Sequence, residues 1–323
     1  MQLYLLINQE CNLNCRFCIR GNKKAQSINT IHLQKVISEN DFSNYTLMIT
    51  GGEPSVNQEL VNIIEICSGK FKKICINTNG VSGTWIDEIK KTDIHVQISL
   101  DGTSEVHNEI RGTNKDIYSE IICNIKKLNM REIAYNISTT VDKHNYNNVF
   151  EMVEQMSSFE NMEYWKISPT LPFGCASVDD IISVDEWNIL VDYIIENAVV
   201  RVKTKKLFPF ELLDRFIENG GKASSVIKNC GDVRSKLYVY PDFTVYPCTC
   251  LTDFPIGNLL DNKLDEIIES SVAKVFTEYR VSEDSACANC KYLEYCNGGC
   301  IGMSYNYFGV LGKGDFRCPL NKK

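Results

Sequence analysis

No stretch of this chain approaches the ~18 consecutive apolar residues that a membrane-spanning helix needs. Its first residues, MQLYLLINQE, carry neither the basic segment nor the small-residue cleavage site of a secretory signal. Positive charge is not in excess: 34 Lys and Arg stand against 41 Asp and Glu, a net charge of −7, which argues against a broad nucleic-acid-binding surface. Histidine is scarce, with four in 323 residues, and His32, His95, His107 and His144 are isolated from one another. No Ser/His/Asp nucleophilic set, no Walker-type phosphate loop, no low-complexity tract and no short-period repeat can be picked out. What is left has an ordinary globular composition, 44% apolar and 23% charged, and reads as a cytoplasmic protein with no membrane and no nucleic-acid partner.

What the chain does have is cysteine: 15 in all, an odd number. In a reducing compartment so many thiols read as metal ligands or catalytic groups rather than disulfides. Three sit together in CNLNCRFC, at Cys11, Cys15 and Cys18; Cys67, Cys75, Cys123 and Cys175 are scattered; eight more fall between Cys230 and Cys318. This unevenness, with a length suited to two hydrophobic cores, places a boundary near 205–230.

The first two-thirds alternates strand-like and helix-like runs, an α/β pattern. LYLLIN (3–8), YTLMIT (45–50), KICINT (73–78), HVQISL (95–100), YNISTTV (135–141) and YWKIS (164–168) are β-branched and aromatic, and several end at Gly, Asp or Pro. Between them IHLQKVISEN, ELVNIIEICSG, DIYSEIICNIKKLN and NNVFEMVEQMSS repeat apolar residues at helical spacing, and a further helix at roughly 184–200 opens on a capping box at Ser183 and Glu186. Six repeats of strand then helix imply parallel strands with right-handed crossovers, an open (β/α)6 partial TIM-like barrel. After about 205 the alternation stops, and LYVYPDFTVYPC (237–248) reads as a hairpin turning at Pro241-Asp242.

Cys11, Cys15 and Cys18 follow the first strand, at the end where barrel folds carry their active sites. Three thiolates on one loop could hold three irons of a 4Fe–4S cluster and leave the fourth open, or form part of a zinc site completed from elsewhere. The segment Cys-x-x-x-Cys-x-aromatic-Cys, with Phe17 as the aromatic, resembles the signature of the radical S-adenosylmethionine (SAM) superfamily. In that family the open iron chelates SAM, and an electron from the cluster cleaves it to a 5′-deoxyadenosyl radical. The second strand ends ITGGEP, where Gly51, Gly52 and Glu53 resemble the motif that holds the SAM amino group. NTNG (77–80) and SLDG (99–102) end the third and fourth strands; by the same resemblance Thr50, Asn77 and Ser99 would bind the ribose and methionine carboxylate of SAM. HNEIRG (107–112) is also similar to a family stretch, in which Arg111 would contact an anion or make a surface ion pair.

Near the C-terminus Cys287-x2-Cys290-x5-Cys296-x3-Cys300 is preceded by Cys230 and Cys248 and followed by Cys318, seven ligands where one zinc needs four. The spacing resembles the SPASM domain, which binds two auxiliary iron–sulfur clusters, expected to be 4Fe–4S. The resemblance gives a distal cluster on Cys287, Cys290, Cys296 and Cys318 and a proximal one on Cys230, Cys248 and Cys300. Cys250 could be the fourth proximal ligand, or a substrate thiolate could take that position. The family usually has glycine where this chain has Phe243, so the hairpin turn is expected to be built differently, around Pro241-Asp242. Cys67, Cys75 and Cys123 read as core residues, and Cys175 as a residue near the barrel mouth that could touch substrate.

The resemblance divides the chain into a radical SAM partial barrel (1–205), a linker or bridging helix (206–229) and a SPASM domain (230–323). It implies an enzyme that takes hydrogen from an unactivated carbon of a ribosomally made peptide, installing a thioether, carbon–carbon or ether crosslink. Anaerobic sulfatase maturation, which forms formylglycine, is the alternative, and a non-catalytic iron–sulfur electron carrier or scaffold is the alternative of another class. Expected partners are the peptide or protein substrate, a separate leader-peptide-binding protein, since the chain starts at its first strand, and a reductant such as flavodoxin or ferredoxin. No general base is evident; Asp101, Asp242 and Tyr246 are the candidates.

Overall fold

The computed structural model describes residues 1–21, 25–90, 94–223 and 229–321; part of the 206–229 linker and the last two residues of the C-terminal domain lie outside them. Its organising element is a ten-stranded sheet. The first six strands, β1 (Gln2–Leu6), β2 (Thr46–Thr50), β3 (Lys73–Thr78), β4 (Ile94–Ser99), β5 (Ala134–Val141) and β6 (Met162–Pro169), pair consecutively and in parallel. A two-residue strand β7 (Val202–Lys203) continues the parallel series beyond β6. The crossovers carry α1 (Thr30–Glu39), α2 (Leu60–Cys67), α3 (Thr84–Glu88), α4 (Ser104–Ile110), α5 (Ile117–Met130), α6 (Tyr146–Met156) and α7 (Val184–Asn197). Helix α7 starts at the expected capping box: Glu186 N–H donates to the Ser183 side chain, and Ser183 N–H to the Glu186 carboxylate. The short α3 and α4 have no counterpart in the sequence reading; five and seven residues are too few to show a helical period.

Alternation along each strand separates two faces. Leu47 and Ile49, Ile74 and Ile76, Val96 and Ile98, Tyr135 and Ile137, and Trp165 and Ile167 are buried in the core beneath the helices. The intervening positions point inward, and toward the strand C-termini they are small and polar: Thr50, Asn77, Ser99, Ser138, Thr140 and Ser168.

After α8 (Phe210–Glu218) the chain returns to the same sheet. Strand β8 (Lys236–Val239) pairs in parallel with the free edge of β1, and β9 (Thr244–Tyr246) and β10 (Gly257–Asn258) add antiparallel strands outside it. Tyr4 of β1 stacks on Tyr238 of β8 with ring centroids 4.6 Å apart. The helices α9 (Leu264–Glu269), α10 (Ser271–Thr277), α11 (Leu293–Cys296) and α12 (Ile301–Phe308) complete the C-terminal part.

The β8–β9 turn is centred on Pro241-Asp242, as expected. Phe243 takes the glycine-like backbone conformation itself, at φ +65°, with Phe243 N–H donating to Tyr240 O at 2.8 Å. Its ring is almost fully buried. A bulky residue thus stands in the left-handed region directly after the turn, a strained arrangement offset by burial of the ring.

Candidate functional site

The cysteine loop leaves the end of β1 and is sewn down from three sides by backbone groups. On one side Gly52 N–H donates to Asn8 O at 3.0 Å and Glu53 N–H to Glu10 O at 2.8 Å. A Cβ on Gly52 would lie 2.1 Å from Glu10 O, so the close approach of the two strand ends requires glycine there. On a second side the end of α4 clamps the loop, through Asn14 N–H to Arg111 O at 3.2 Å and Arg16 N–H to Ile110 O at 3.1 Å. On the third, Cys175 N–H donates to Cys18 O at 2.9 Å.

This loop forms one wall of a cavity of about 410 Å³ at the C-terminal ends of the strands. Cys11, Cys15 and Cys18 all line it, with Phe17, Thr50, Gly51, Gly52, Glu53, Asn77 and Ser99, so every residue expected to contact the SAM-binding cluster or SAM is brought to one space. The sequence reading missed Arg20 and Lys166, which also line it. Arg20 Nε donates to Gly51 O at 2.9 Å and its Nη1 to the Tyr240 hydroxyl at 3.4 Å, which ties the cavity rim to the C-terminal hairpin. Lys166 was legible as a lysine at an inward position of a strand whose neighbours, Trp165 and Ile167, are core. Burial, followed by the charge of Lys236, lowers its pKa from the ordinary lysine value.

Glu53 is almost fully buried and its carboxylate is already engaged. Oε1 accepts from Thr78 Oγ1 at 2.6 Å and Ser55 N–H at 3.0 Å, and Oε2 accepts from Asn79 N–H at 2.6 Å. It thereby locks the end of β3 to the Gly51–Gly52 turn.

Arg111 is not a surface residue, and its ion pair is internal. It is buried, pairs with the fully buried Asp101 (Nε to Oδ2, 2.7 Å), donates to Cys15 Sγ at 3.6 Å and lies 5.3 Å from the Phe17 ring centroid. Burial alone would favour neutral arginine, but Asp101 and then Cys15 outweigh it and hold the guanidinium charged. Burial raises the Cys15 thiol, and the Arg111 charge opposes that shift. Asp101 Oδ1 accepts from Thr140 N–H at 2.7 Å, and its own N–H donates to His107 Nδ1 at 3.0 Å. With both oxygens occupied and no surface in the cavity, Asp101 stands as a buried anchor for Arg111. His107 is fully buried, and its pKa is pushed down to about 3 by burial and then by Arg111.

In the C-terminal part the thiols assemble from distant segments. Cys287, Cys290, Cys296 and Cys318 line a second, small cavity of about 20 Å³. A Cβ on Gly314 would stand 2.5 Å from Cys287 Sγ, so glycine leaves this sulfur its place. Burial and then the neighbouring Cys296 push Cys287 up to about 11. The other four thiols pair. Cys230 accepts a hydrogen bond from Cys300, which lowers it to about 6 and raises Cys300; Cys248 accepts one from Cys250, with the same opposite shifts. Cys250 N–H also donates to Cys248 Sγ at 3.5 Å, and a Cβ on Gly302 would meet Cys250 Cβ at 2.8 Å.

Among the described residues no three His, Cys, Asp or Glu side chains converge as they would on a single ion. A cubane asks instead for sulfurs spread round a shared space, each facing its own iron. Three thiols around the large cavity, four around the small one and two further thiol pairs in the C-terminal part fit that donor set.

The remaining candidates fall elsewhere. Asp242 is exposed in the hairpin turn, where Oδ1 accepts from Thr244 N–H at 3.1 Å, and Tyr246 packs edge-on to Tyr240; neither lines the large cavity. Cys67 and Cys75 are buried as expected, but Cys123 is exposed on α5, on the side away from Ile121 and Ile125. Cys175 is exposed and meets the cluster loop through its backbone. His95 is buried against Asn136, and His144 is partly exposed beside Asp180.

Parallel strands ending in a thiol-lined cavity, with a second set of thiols in the part that extends the sheet edge, suit a protein that holds iron–sulfur clusters. Residues 5–156 match the radical SAM superfamily, and residues 230–291 match SPASM, an iron–sulfur cluster-binding domain. The chain carries a radical SAM domain followed by a SPASM domain, with SAM and 4Fe–4S clusters as its cofactors. It is 24% identical to a cysteine-type anaerobic sulfatase-maturating enzyme of Clostridium novyi, over 91% of this chain and 85% of that one. It is also 24% identical to the sporulation killing factor maturation protein SkfB of Bacillus subtilis, over 81% of this chain and 63% of that one. Among solved structures it resembles Streptococcus suis SuiB bound to the precursor peptide SuiA, with a TM-score of 0.79 and 18% identity over all of this chain and 76% of that one. No helix among the described residues is long and apolar enough to cross a membrane.

Proposed function

We propose that this protein is a cytoplasmic peptide maturase that takes hydrogen from a side-chain carbon of a ribosomally made peptide and installs a crosslink there. The observation that carries the reading is the shared cavity, where three thiols, the Gly51–Gly52 turn and the polar strand ends of β2 to β6 meet. At about 410 Å³ it stands near the low end of ligand sites, which run from ~300 to 1,000 Å³. The names of the relatives, a killing-factor maturation protein and a maturase bound to its precursor peptide, support a peptide as the bearer of the modified side chain.

In this reading Cys11, Cys15 and Cys18 hold the cluster, and Thr50, Gly51, Gly52, Asn77 and Ser99 hold SAM, which when bound supplies the 5′-deoxyadenosyl radical. Arg111, anchored by Asp101, keeps a positive charge against Cys15 and so favours its thiolate form. Phe17, beside the Arg111 guanidinium, helps to close the cluster loop over the cavity and exclude water. Cys287, Cys290, Cys296 and Cys318 hold the distal auxiliary cluster, and Cys230, Cys248, Cys250 and Cys300 the proximal one, with Cys250 leaving no iron for a substrate thiolate. The barrel spans 1–205, and the auxiliary clusters belong to 230–323, joined through 206–229. A flavodoxin or ferredoxin would supply electrons, and a separate leader-binding protein would deliver the peptide.

The test is anaerobic reconstitution followed by incubation with SAM, a strong reductant and a perdeuterated peptide library. The expected result is ~12 irons per chain, formation of 5′-deoxyadenosine and deuterium transfer into it from library peptides. No 5′-deoxyadenosine at full iron loading would overturn the reading in favour of an electron carrier. The sulfatase-maturating relative favours a second reading, which aldehyde formation on a cysteine-bearing sulfatase peptide would establish in place of a crosslink.

A further inference from the structure

The two sets of C-terminal thiols meet at one short segment. Cys296 belongs to the distal set and Cys300 to the proximal set, with only Asn297, Gly298 and Gly299 between them. All three are left-handed, at φ +42°, +75° and +77°, so the chain coils tightly here. Asn229 holds the coil from one side, its side-chain amide donating to Cys296 O at 3.1 Å and Gly299 O at 2.6 Å. Residues 314–318 close the other side. Asp315 N–H donates to Gly298 O at 2.8 Å, Cys318 N–H donates to Asp315 O at 3.1 Å, and a Cβ on Gly299 would lie 3.2 Å from Asp315 Cβ.

Packed into this junction is an ion pair that none of the motifs above includes. Arg317 Nε donates to Asp315 Oδ1 at 3.1 Å and Nη2 to Oδ2 at 2.8 Å, a two-point contact between side chains only 10% and 2% exposed. Burial works against the arginine charge, but the hydrogen bonds and charge of Asp315, followed by Cys300 and Cys230, hold it. The chain neighbour of Arg317 is the distal ligand Cys318, yet these two thiols belong to the proximal set. The Asp315 carboxylate acts on one thiol of each set, Cys287 and Cys300. The pair is thus a fixed dipole, with its negative end shared and its positive end turned to the proximal thiols. A buried ion pair is weak evidence of stability, because desolvation offsets much of its Coulombic gain. Its field on a neighbouring redox group is a different matter. One-electron reduction adds a negative charge to an iron–sulfur cluster, and a nearby guanidinium favours the reduced form.

We propose that Arg317, anchored by Asp315, sets the proximal auxiliary cluster at a higher reduction potential than the distal one. The inference rests on the ligand assignment made under the proposed function. Cys230 and Cys248 flank strands β8 and β9, so the better electron acceptor is the set beside the sheet. Electrons then settle next to the barrel rather than on the outer set.

The test is a dithionite titration of the reconstituted holoprotein, followed by electron paramagnetic resonance. It compares wild type with Arg317→Gln, Arg317→Lys and the double variant Asp315→Asn/Arg317→Gln. The SAM-site signal is the one that changes on adding SAM, and the distal signal the one altered by Cys290→Ser. In Arg317→Gln the proximal oxidised-to-reduced ratio at a fixed potential should rise about tenfold, a midpoint lower by ~59 mV for one electron, while the distal midpoint moves much less. Lysine keeps the charge but not the fork, and should restore part of the shift. The double variant leaves no charge buried without a partner and should narrow the gap between the two midpoints, which covers the case in which Arg317→Gln loses iron. Equal shifts of both midpoints, no rescue by lysine at full iron content, or an unchanged gap in the double variant overturns the proposal. Wild type that shows both auxiliary signals but forms no 5′-deoxyadenosine from SAM would instead strike the proposed function and leave this inference standing.

Discussion

The two cysteine-bearing regions solve the same chemical problem in opposite ways. The N-terminal thiols lie on eight consecutive residues, and the surrounding backbone holds the loop before any metal is considered: Asn8, Glu10, Ile110, Arg111, Gly52 and Cys175 all bond to it or its base. The C-terminal thiols come from segments as far apart as Cys230 and Cys318, with helices of four to eight residues between them. Elements so short contribute little stability of their own. On the proposed ligand assignment, the barrel prepares its cluster site, whereas the C-terminal part would be prepared by its clusters.

The sharpest test of that contrast is to remove ligands from each side. Changing Cys11, Cys15 and Cys18 to alanine should take away ~4 of ~12 irons and leave thermal unfolding nearly unchanged. Cys296→Ala should take away a comparable number and destabilise the C-terminal part on the order of several kcal/mol, read by proteolysis and calorimetry. Equal melting of the two variants would break the comparison. Next in size, Asp101→Ala leaves the Arg111 charge buried without its partner and should cost about 3–5 kcal/mol in thermal unfolding. The barrel site then proves more sensitive to its braces than to its thiols. In the hairpin, Phe243→Gly relieves about 1–2 kcal/mol of left-handed strain but loses a buried ring worth about 3–5 kcal/mol. A net loss of about 1–4 kcal/mol in denaturant unfolding is expected, and a gain would show that the ring does not hold the hairpin. Smallest is the effect of His107, whose folded pKa of about 3 lies below the unfolded value of ~6.5. Between those values the unfolded chain binds the extra proton, so stability falls as pH drops below 6.5. At pH 5 the loss is about 2 kcal/mol relative to neutral pH, and His107→Gln should flatten that slope in melts from pH 7 to pH 5.

How far the sequence could be read depended on the range of the interaction involved. All six barrel strands were legible to within two residues because alternation and β-branched content are local, and the Ser183–Glu186 box marked α7 for the same reason. The three thiols and the GGEP turn were legible as a constellation, and the structure brings them round one cavity. Asp101 looked available because its partner Arg111 lies on the far side of α4, a contact that no spacing rule reports. Arg20 and Tyr240 meet across the whole length of the barrel, beyond any local pattern. The hairpin was legible at Pro241-Asp242, a local turn signal, but the left-handed backbone of Phe243 was not, because it depends on burial of a large ring in the core.

The position of β1 has one more consequence, which concerns time. Its two edges are claimed by partners made at very different moments: β2 follows within the first 50 residues, whereas β8 begins only at Lys236. At the ordinary pace of synthesis, ~5–20 residues per second, the second edge waits on the order of 10–50 s for its strand. During that interval the newborn chain presents an open strand edge, next to three unliganded thiols, to whatever else is in the cell. Loading of iron before β8 docks, or a chaperone resting on that edge, would shape how much active protein each ribosome yields.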